Sequence, residues 1–321
     1  MSKPEALAAR LRRRDLSAAA AVLNLLETRT PEARAQAAEL LSAVSPASLG
    51  REAGAHVVGV TGPPGVGKSS LLSRLLAGWR ARGRSVAVLA VDPSSRRSGG
   101  ALLGDRARIE HDPADRQVFI RSMAAGDRLG GLAPATRAAA EALAVAFDVV
   151  VIETVGVGQS ETEVADAADT VAVVIQPGSG DVLQFLKAGI MEVPDVLVVT
   201  KADLGRVAQR AIADLSSALR SLGAGQTEVI AVSSVAPPRG IDELLDALEA
   251  HRDRLDLRAR RLGARRAHAL SEFAAEYGEH GLRSVGGRRR AQAWLAEQDP
   301  GVDVPTLVSG LEERARAGRA G

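Results

Sequence analysis

The chain has no cysteine among its 321 residues, which excludes disulfides and thiolate-held metals together. Aromatic residues are nearly as scarce, with four Phe, two Trp and one Tyr, or 2% of the chain. A surface that reads nucleic acid by stacking bases on rings needs more, so no nucleic-acid partner is expected. Charge of one sign is also missing: 41 basic residues face 39 acidic ones for a net charge of +2. The sequence pI near 9.4 therefore points to no strong polyanion partner. No window holds eighteen uninterrupted apolar residues, and "MSKPEALAARLRRRDLSAAA" lacks the apolar core and cleavage pattern of a secretory leader. No membrane partner is expected, and the expected location is cytoplasmic. What remains, 46% hydrophobic and 25% charged, is the composition of a globular protein with a large core.

The pattern along the chain changes twice. Residues 1–50 read as helices, with "PEALAARLRR" and "LSAAAAVLNLLE" apolar at three- and four-residue spacing and Thr30-Pro31 opening "TPEARAQAAELLSAV" as N-cap and first turn. Residues 51–255 alternate helical stretches with short β-branched runs at 56–60, 85–91, 118–121, 148–153, 170–176, 195–200 and 228–233. These runs are nearly continuous in apolar character, as strands buried on both faces are. The spacing predicts an α/β domain with a mostly parallel sheet of about seven strands flanked by helices. Residues 256–321 lose the strand signal and read as an arginine-rich helical arm, a candidate for dimerisation.

The stretch "GPPGVGKSS" (62–70) leaves the strand at 56–60 and opens a helix over 69–82, the context in which a glycine-rich phosphate loop has meaning. Gly62, Pro63, Pro64, Gly65, Val66, Gly67, Lys68, Ser69 and Ser70 form the expected triphosphate cradle. Its glycines let successive N–H groups face phosphate at a helix N-terminus. Lys68 is placed to reach the β- and γ-phosphates, and Ser69 to offer a hydroxyl to Mg²⁺. Magnesium also needs acids at neighbouring strand ends, and Asp92 and Glu153 close their strands in that way. Glu153 followed by Gly156 resembles a Walker-B strand running into a loop that senses the γ-phosphate through a glycine N–H. Asp105, on the loop after Asp92, is a third metal candidate, and Gln159 in "GVGQSE" a candidate to position water.

Base recognition is expected at "DVLVVTKADLG", residues 195–205. The tetrad Thr200-Lys201-Ala202-Asp203 looks like the guanine-reading Asn-Lys-x-Asp with Thr in the place of Asn. The Asp203 carboxylate matches the N1–H and 2-amino donors of guanine. Adenine would set a lone pair against it, and an unmatched buried polar group costs about 1–3 kcal/mol. Lys201 is expected over the base plane or against the phosphate loop. Thr200, shorter than Asn, is expected to forgo one hydrogen bond, worth roughly 0.5–1.5 kcal/mol. Ser233, Ser234 and Val235, after the last strand, are expected to turn backbone N–H groups toward the guanine O6.

Four long blocks then resemble one family. "AVDPSSRRSGGALLGDRARI" (90–109), "FIRSMAAGDRLGGLAPATR" (119–137), "ETVGVGQSETEVAD" (153–166) and "QPGSGDVLQFLKAGIMEVPD" (176–195) look like the signatures of the methylmalonyl-CoA mutase-associated GTPases of the MeaB/ArgK type. The resemblance covers roughly residues 50–250. It implies a homodimeric G-protein chaperone that binds GTP, GDP and Mg²⁺, hydrolyses GTP, and gates cofactor loading and protection of an adenosylcobalamin-dependent acyl-CoA mutase, methylmalonyl-CoA mutase by default. It puts Asp92 and Asp105 at the magnesium and first-switch positions and Glu153–Glu161 at the second switch. Asp181, Gln184 and Lys187 fall on a further segment that communicates with the mutase. On its own, Lys187 in the amphipathic "VLQFLKAGI" reads as a solvated surface lysine, and Phe185 and Met191 read as core. Thr200 and Ser234 depart from the family's Asn and Ala.

Two rivals remain. A nickel-insertion GTPase would carry a Cys/His cluster, whereas this chain has only His56, His111, His251, His268 and His280, scattered. A phosphate-loop kinase linked to amino-acid transport would need an acceptor site, which no motif supplies.

Overall fold

The computed structural model describes residues 2–92, 108–124, 132–154, 160–178 and 194–317, with the backbone alone at Asp92, Pro134 and 160–162. The chain divides into two compact units, Ala55–Leu255 and a second made of Met1–Gly54 together with Asp256–Gly321.

The Ala55–Leu255 unit is built on β1 (His56–Thr61), β2 (Val86–Asp92), β3 (Val118–Ala124), β4 (Val149–Glu153), β5 (Thr170–Ile175), β6 (Val196–Val199) and β7 (Glu228–Ala231). They form one seven-stranded sheet in the order β3-β2-β4-β1-β5-β6-β7, and every pairing is parallel. Parallel neighbours need crossover helices, so both faces are covered and the inner strands are apolar except at their ends. β1, β4, β5 and β6 are buried at every position, while the edge strand β7 is only partly buried. Helix Lys68–Ala81 turns Leu71, Leu72, Leu75, Leu76 and Trp79 into the core. It lies close against helix Ile241–Arg254: a Cβ on Gly78 would sit 2.5 Å from Leu245 Cδ1.

The amino edge of the sheet is closed by a repeated device. An aspartate stands just before β4, β5 and β6, and each accepts the amide of a neighbouring strand. Asp148 takes the Ser85 N–H, Asp169 the Val57 N–H and Asp195 the Val171 N–H, all at 2.8 Å. An amide at a strand start is otherwise left without a ladder partner. These acids terminate the sheet, whereas Asp92 and Glu153 lie at its opposite, carboxyl edge.

The second unit joins the two ends of the chain, which the sequence reading kept apart as 1–50 and 256–321. Helix Lys3–Arg12 starts in a capping box between Ser2 and Glu5, and helix Pro31–Ala43 starts with Thr30 accepting the Ala33 N–H at 3.2 Å. The long helix Leu257–Ser284, broken at Gly278, packs Ala269, Leu270 and Phe273 against Leu307, Val308 and Leu311 of helix Val304–Ala317. Arg265 clamps the two chain ends by a bidentate bond to Glu52, at 3.0 and 2.8 Å, and a third bond to the Pro300 carbonyl at 2.8 Å. None of the described helices is long and apolar enough to cross a membrane.

Candidate functional site

The carboxyl edge of the sheet gathers the residues singled out for nucleotide chemistry. β1 ends at Thr61 and the chain turns at once into the phosphate loop. Gly62 is required there: its φ is +144°, and a Cβ would lie 2.0 Å from the Val174 carbonyl oxygen of adjacent β5. Gly65 and Gly67, at φ +80° and +95°, face open space, with nothing within 4 Å of a notional Cβ. The loop thus holds two left-handed turns with open space beside each, which leaves room for a phosphate to approach the backbone. Val66 is buried in the core, while Pro64, Gly65 and Ser70 are exposed and Pro63, Gly67 and Ser69 are partly so.

Lys68 opens the following helix and is buried, with its ammonium donating to the carbonyls of Gly62 at 2.6 Å and Pro63 at 3.1 Å. These bonds stretch the side chain back across the loop it belongs to. The next turn is anchored as well: the Ser73 hydroxyl donates to the Ser69 carbonyl at 2.9 Å and accepts the Glu110 N–H at 2.9 Å.

Glu153 ends β4 beside the loop, in register with Val60 of β1 and Ala90 of β2, and only 2% of it is exposed. Asp92 ends β2 next door. Behind Glu153, the Thr154 hydroxyl donates to the Thr61 hydroxyl at 2.8 Å, pinning the ends of β4 and β1 together. Among the described residues no cluster of three or more His, Asp or Glu is assembled for a metal. A buried carboxylate and a serine hydroxyl on adjoining elements suit a hard cation shared with substrate phosphates, the usual setting of Mg²⁺. Ser69 and Glu153 therefore fit such an ion, and the backbone of Asp92 ends the adjoining strand.

The base-reading tetrad follows β6. Thr200 is buried and spans two elements: its hydroxyl lies 2.7 Å from the Val66 carbonyl of the phosphate loop and 3.0 Å from the Ile175 carbonyl at the end of β5. Having one proton, it donates to one of them at a time. The shorter side chain thus ties the base strand to the phosphate loop and keeps no second donor for a base. Lys201 adopts a left-handed backbone, φ +52°, and its ammonium donates to Gln176 Oε1. Asp203 accepts a bond from the Ser233 hydroxyl at 2.8 Å, which fixes one carboxylate oxygen and orients the other.

Ser233 departs from its expected part. Its N–H donates to the Arg239 carbonyl at 3.0 Å and the Arg239 N–H returns to the Ser233 carbonyl at 3.0 Å, so this amide is spent inside the loop. Ser233 enters the site through its hydroxyl instead. Ser234 and Val235 keep the backbone role open to them, Val235 on the surface. Thr61, Thr154 and Arg74 join the site beyond the expected residues. The two threonines were legible as hydroxyls ending apolar strands, whereas nothing local marks Arg74. Asp105, Gly156, Gln159, Asp181, Gln184, Phe185, Lys187 and Met191 lie outside the described residues.

An all-parallel sheet with this loop at the end of its central strand defines a P-loop GTPase fold. A family model described as "Methylmalonyl Co-A mutase-associated GTPase MeaB" matches residues 19–283, and the chain belongs to that family. It is 41% identical to a probable GTPase of Mycobacterium tuberculosis over 98% of this chain and 90% of that one. It is also 41% identical to a putative GTPase of Pyrococcus abyssi, over 82% and 80% of the two chains. The mitochondrial methylmalonic aciduria type A homolog of Caenorhabditis elegans matches at 41% identity over 64% of this chain and 54% of that protein. Among solved structures, that of an LAO/AO transport system kinase superposes with a TM-score of 0.66 at 29% identity, covering 98% of this chain and 99% of that one.

Proposed function

We propose that this chain binds and hydrolyses GTP as a chaperone of an adenosylcobalamin-dependent acyl-CoA mutase, methylmalonyl-CoA mutase by default, gating its cofactor loading and protecting it from inactivation. The partner half of the reading rests on the family and on the relative named for methylmalonic aciduria. The nucleotide half rests on one observation above the others: Asp203, held by Ser233, stands on the same strand end as Thr200, which is tied to the phosphate loop.

In the proposed reaction a water oxygen bonds to the γ-phosphorus as the bond to the β–γ bridging oxygen breaks, leaving GDP and phosphate, with the water's protons passing to phosphate and solvent. The chain's share is positional and electrostatic. Lys68 and the loop N–H groups neutralise charge on the β- and γ-oxygens, Gly156 senses the γ-phosphate and Gln159 positions the water. Lys187 acts from the mutase-communicating segment. Ser69, Asp92, Asp105 and Glu153 would hold Mg²⁺, which would supply neutralisation of phosphate charge. Guanine is read by Asp203 and the amides after β7, with Lys201 beside the base. The working form is a cytoplasmic homodimer joined through residues 256–321.

The kinase reading, kept alive by the solved relative's description, and the GTPase reading differ in their nucleotide. Phosphate release measured in parallel from GTP and ATP is expected to proceed with GTP and to stay near background with ATP. Equal release from both would overturn the guanine reading.

A further inference from the structure

The helix that carries Lys68 and Ser69 bears, six residues on, an arginine that the chemistry above does not use. Arg74 is partly buried, and its Nε donates to the Ser234 carbonyl at 3.1 Å, across 160 residues of sequence. Among the described residues the only cis peptide is Ala236–Pro237, so the peptide joining Ser234 to Val235 is trans. A trans peptide is planar, with its C=O and N–H pointing in opposite directions. Whatever fixes the Ser234 carbonyl therefore fixes the heading of the Val235 N–H.

That heading matters because the Ser233 amide is spent on Arg239. The amides next in line for the base are those of Ser234 and Val235. Side-chain packing does not orient this part of the loop, since Val235 is 62% exposed. Among the described contacts of Ser234 and Val235, the Arg74 bond is the one that does.

We infer that Arg74 is a positioning residue for guanine reading: by holding the Ser234 carbonyl it aims the Val235 N–H at the 6-oxo group of the base. It also couples the base-reading loop to the helix that holds the phosphates. The inference rests on the guanine reading proposed above and deepens it. A purely structural arginine would affect every nucleotide alike, whereas an arginine that aims a 6-oxo donor affects only nucleotides with a 6-oxo group.

The test is a set of calorimetric dissociation constants for GDP, IDP, 2,6-diaminopurine riboside diphosphate and ADP on the wild type, Arg74→Ala and Arg74→Lys. The alanine variant is expected to lose about three- to tenfold on GDP and IDP, as for one forfeited hydrogen bond, and nothing on the two 6-amino nucleotides. Lysine, which keeps a donor, is expected to restore most of the loss. Should alanine prevent folding, the lysine variant carries the test through a smaller loss confined to the same two nucleotides. Equal weakening of all four diphosphates overturns the inference. So does unchanged GDP binding in a protein whose wild type still prefers GDP to ADP. A wild type that binds GDP and ADP equally overturns the guanine reading itself, and this inference with it.

Discussion

Asp203→Asn is expected to lower affinity for guanine nucleotides about a hundredfold or more, because an acceptor that the bound base would cover becomes a donor facing its N1–H and 2-amino donors, at a cost near 3 kcal/mol. The neighbouring contact makes the direction definite. The Ser233 hydroxyl already donates to Asp203 Oδ1 at 2.8 Å. An asparagine keeps that bond by placing its carbonyl oxygen there, so its amide takes the other oxygen's place, toward the base. Xanthine carries a carbonyl at C2 where guanine carries an amine, and the amide matches it. The variant should therefore bind xanthosine diphosphate better than GDP, reversing the wild-type order. Titration of both nucleotides checks this. A variant that still prefers GDP would remove Asp203 from base recognition.

Gly62→Ala is the second large effect. The new Cβ would lie 2.0 Å from the Val174 carbonyl oxygen, at a backbone φ of +144° that side chains rarely adopt. Left-handed strain and overpacking each cost about 1–3 kcal/mol, so a loss of about 3 kcal/mol or more is expected, with the phosphate loop displaced from β5. Gly65→Ala separates the two causes: its φ is +80°, but nothing lies within 4 Å of the added carbon. It should lose the strain share alone, about 1–3 kcal/mol. Thermal melts of the two variants, followed by GDP titration of each, should rank Gly62→Ala far below Gly65→Ala in stability and binding. Equal melts would show that the approach of the loop to β5 is not tight.

These two positions also mark what a sequence can disclose. The phosphate loop is legible because its constraints are local: glycines at fixed spacing, a lysine and a serine at a strand-to-helix turn. The sheet is legible because strands buried on both faces lack polar alternation, as β1, β4, β5 and β6 do. Contacts far apart in the chain are not legible. Nothing in "LLSRLLAGW" announces that Arg74 reaches Ser234, and nothing in "SSVAPPRG" announces that Ser233 and Arg239 pair as an antiparallel bridge. That pairing alone redirects Ser233 from an amide to a hydroxyl role. The strand-leading aspartates Asp148, Asp169 and Asp195 look much like strand-ending Asp92 and Glu153 by composition, and only the edge of the sheet they occupy separates them. The same limit explains the second unit. Both chain ends read as helical, but their shared packing rests on contacts such as Arg265 with Glu52, 213 residues apart.

A guanine nucleotide and a mutase meet in one assay. Phosphate release from GTP, followed across a titration of apo adenosylcobalamin-dependent acyl-CoA mutase, is predicted to rise and saturate as the mutase is added, with ATP giving no such rise. A GTP turnover that stays flat across the titration would contradict the chaperone reading and leave a GTPase with a different partner.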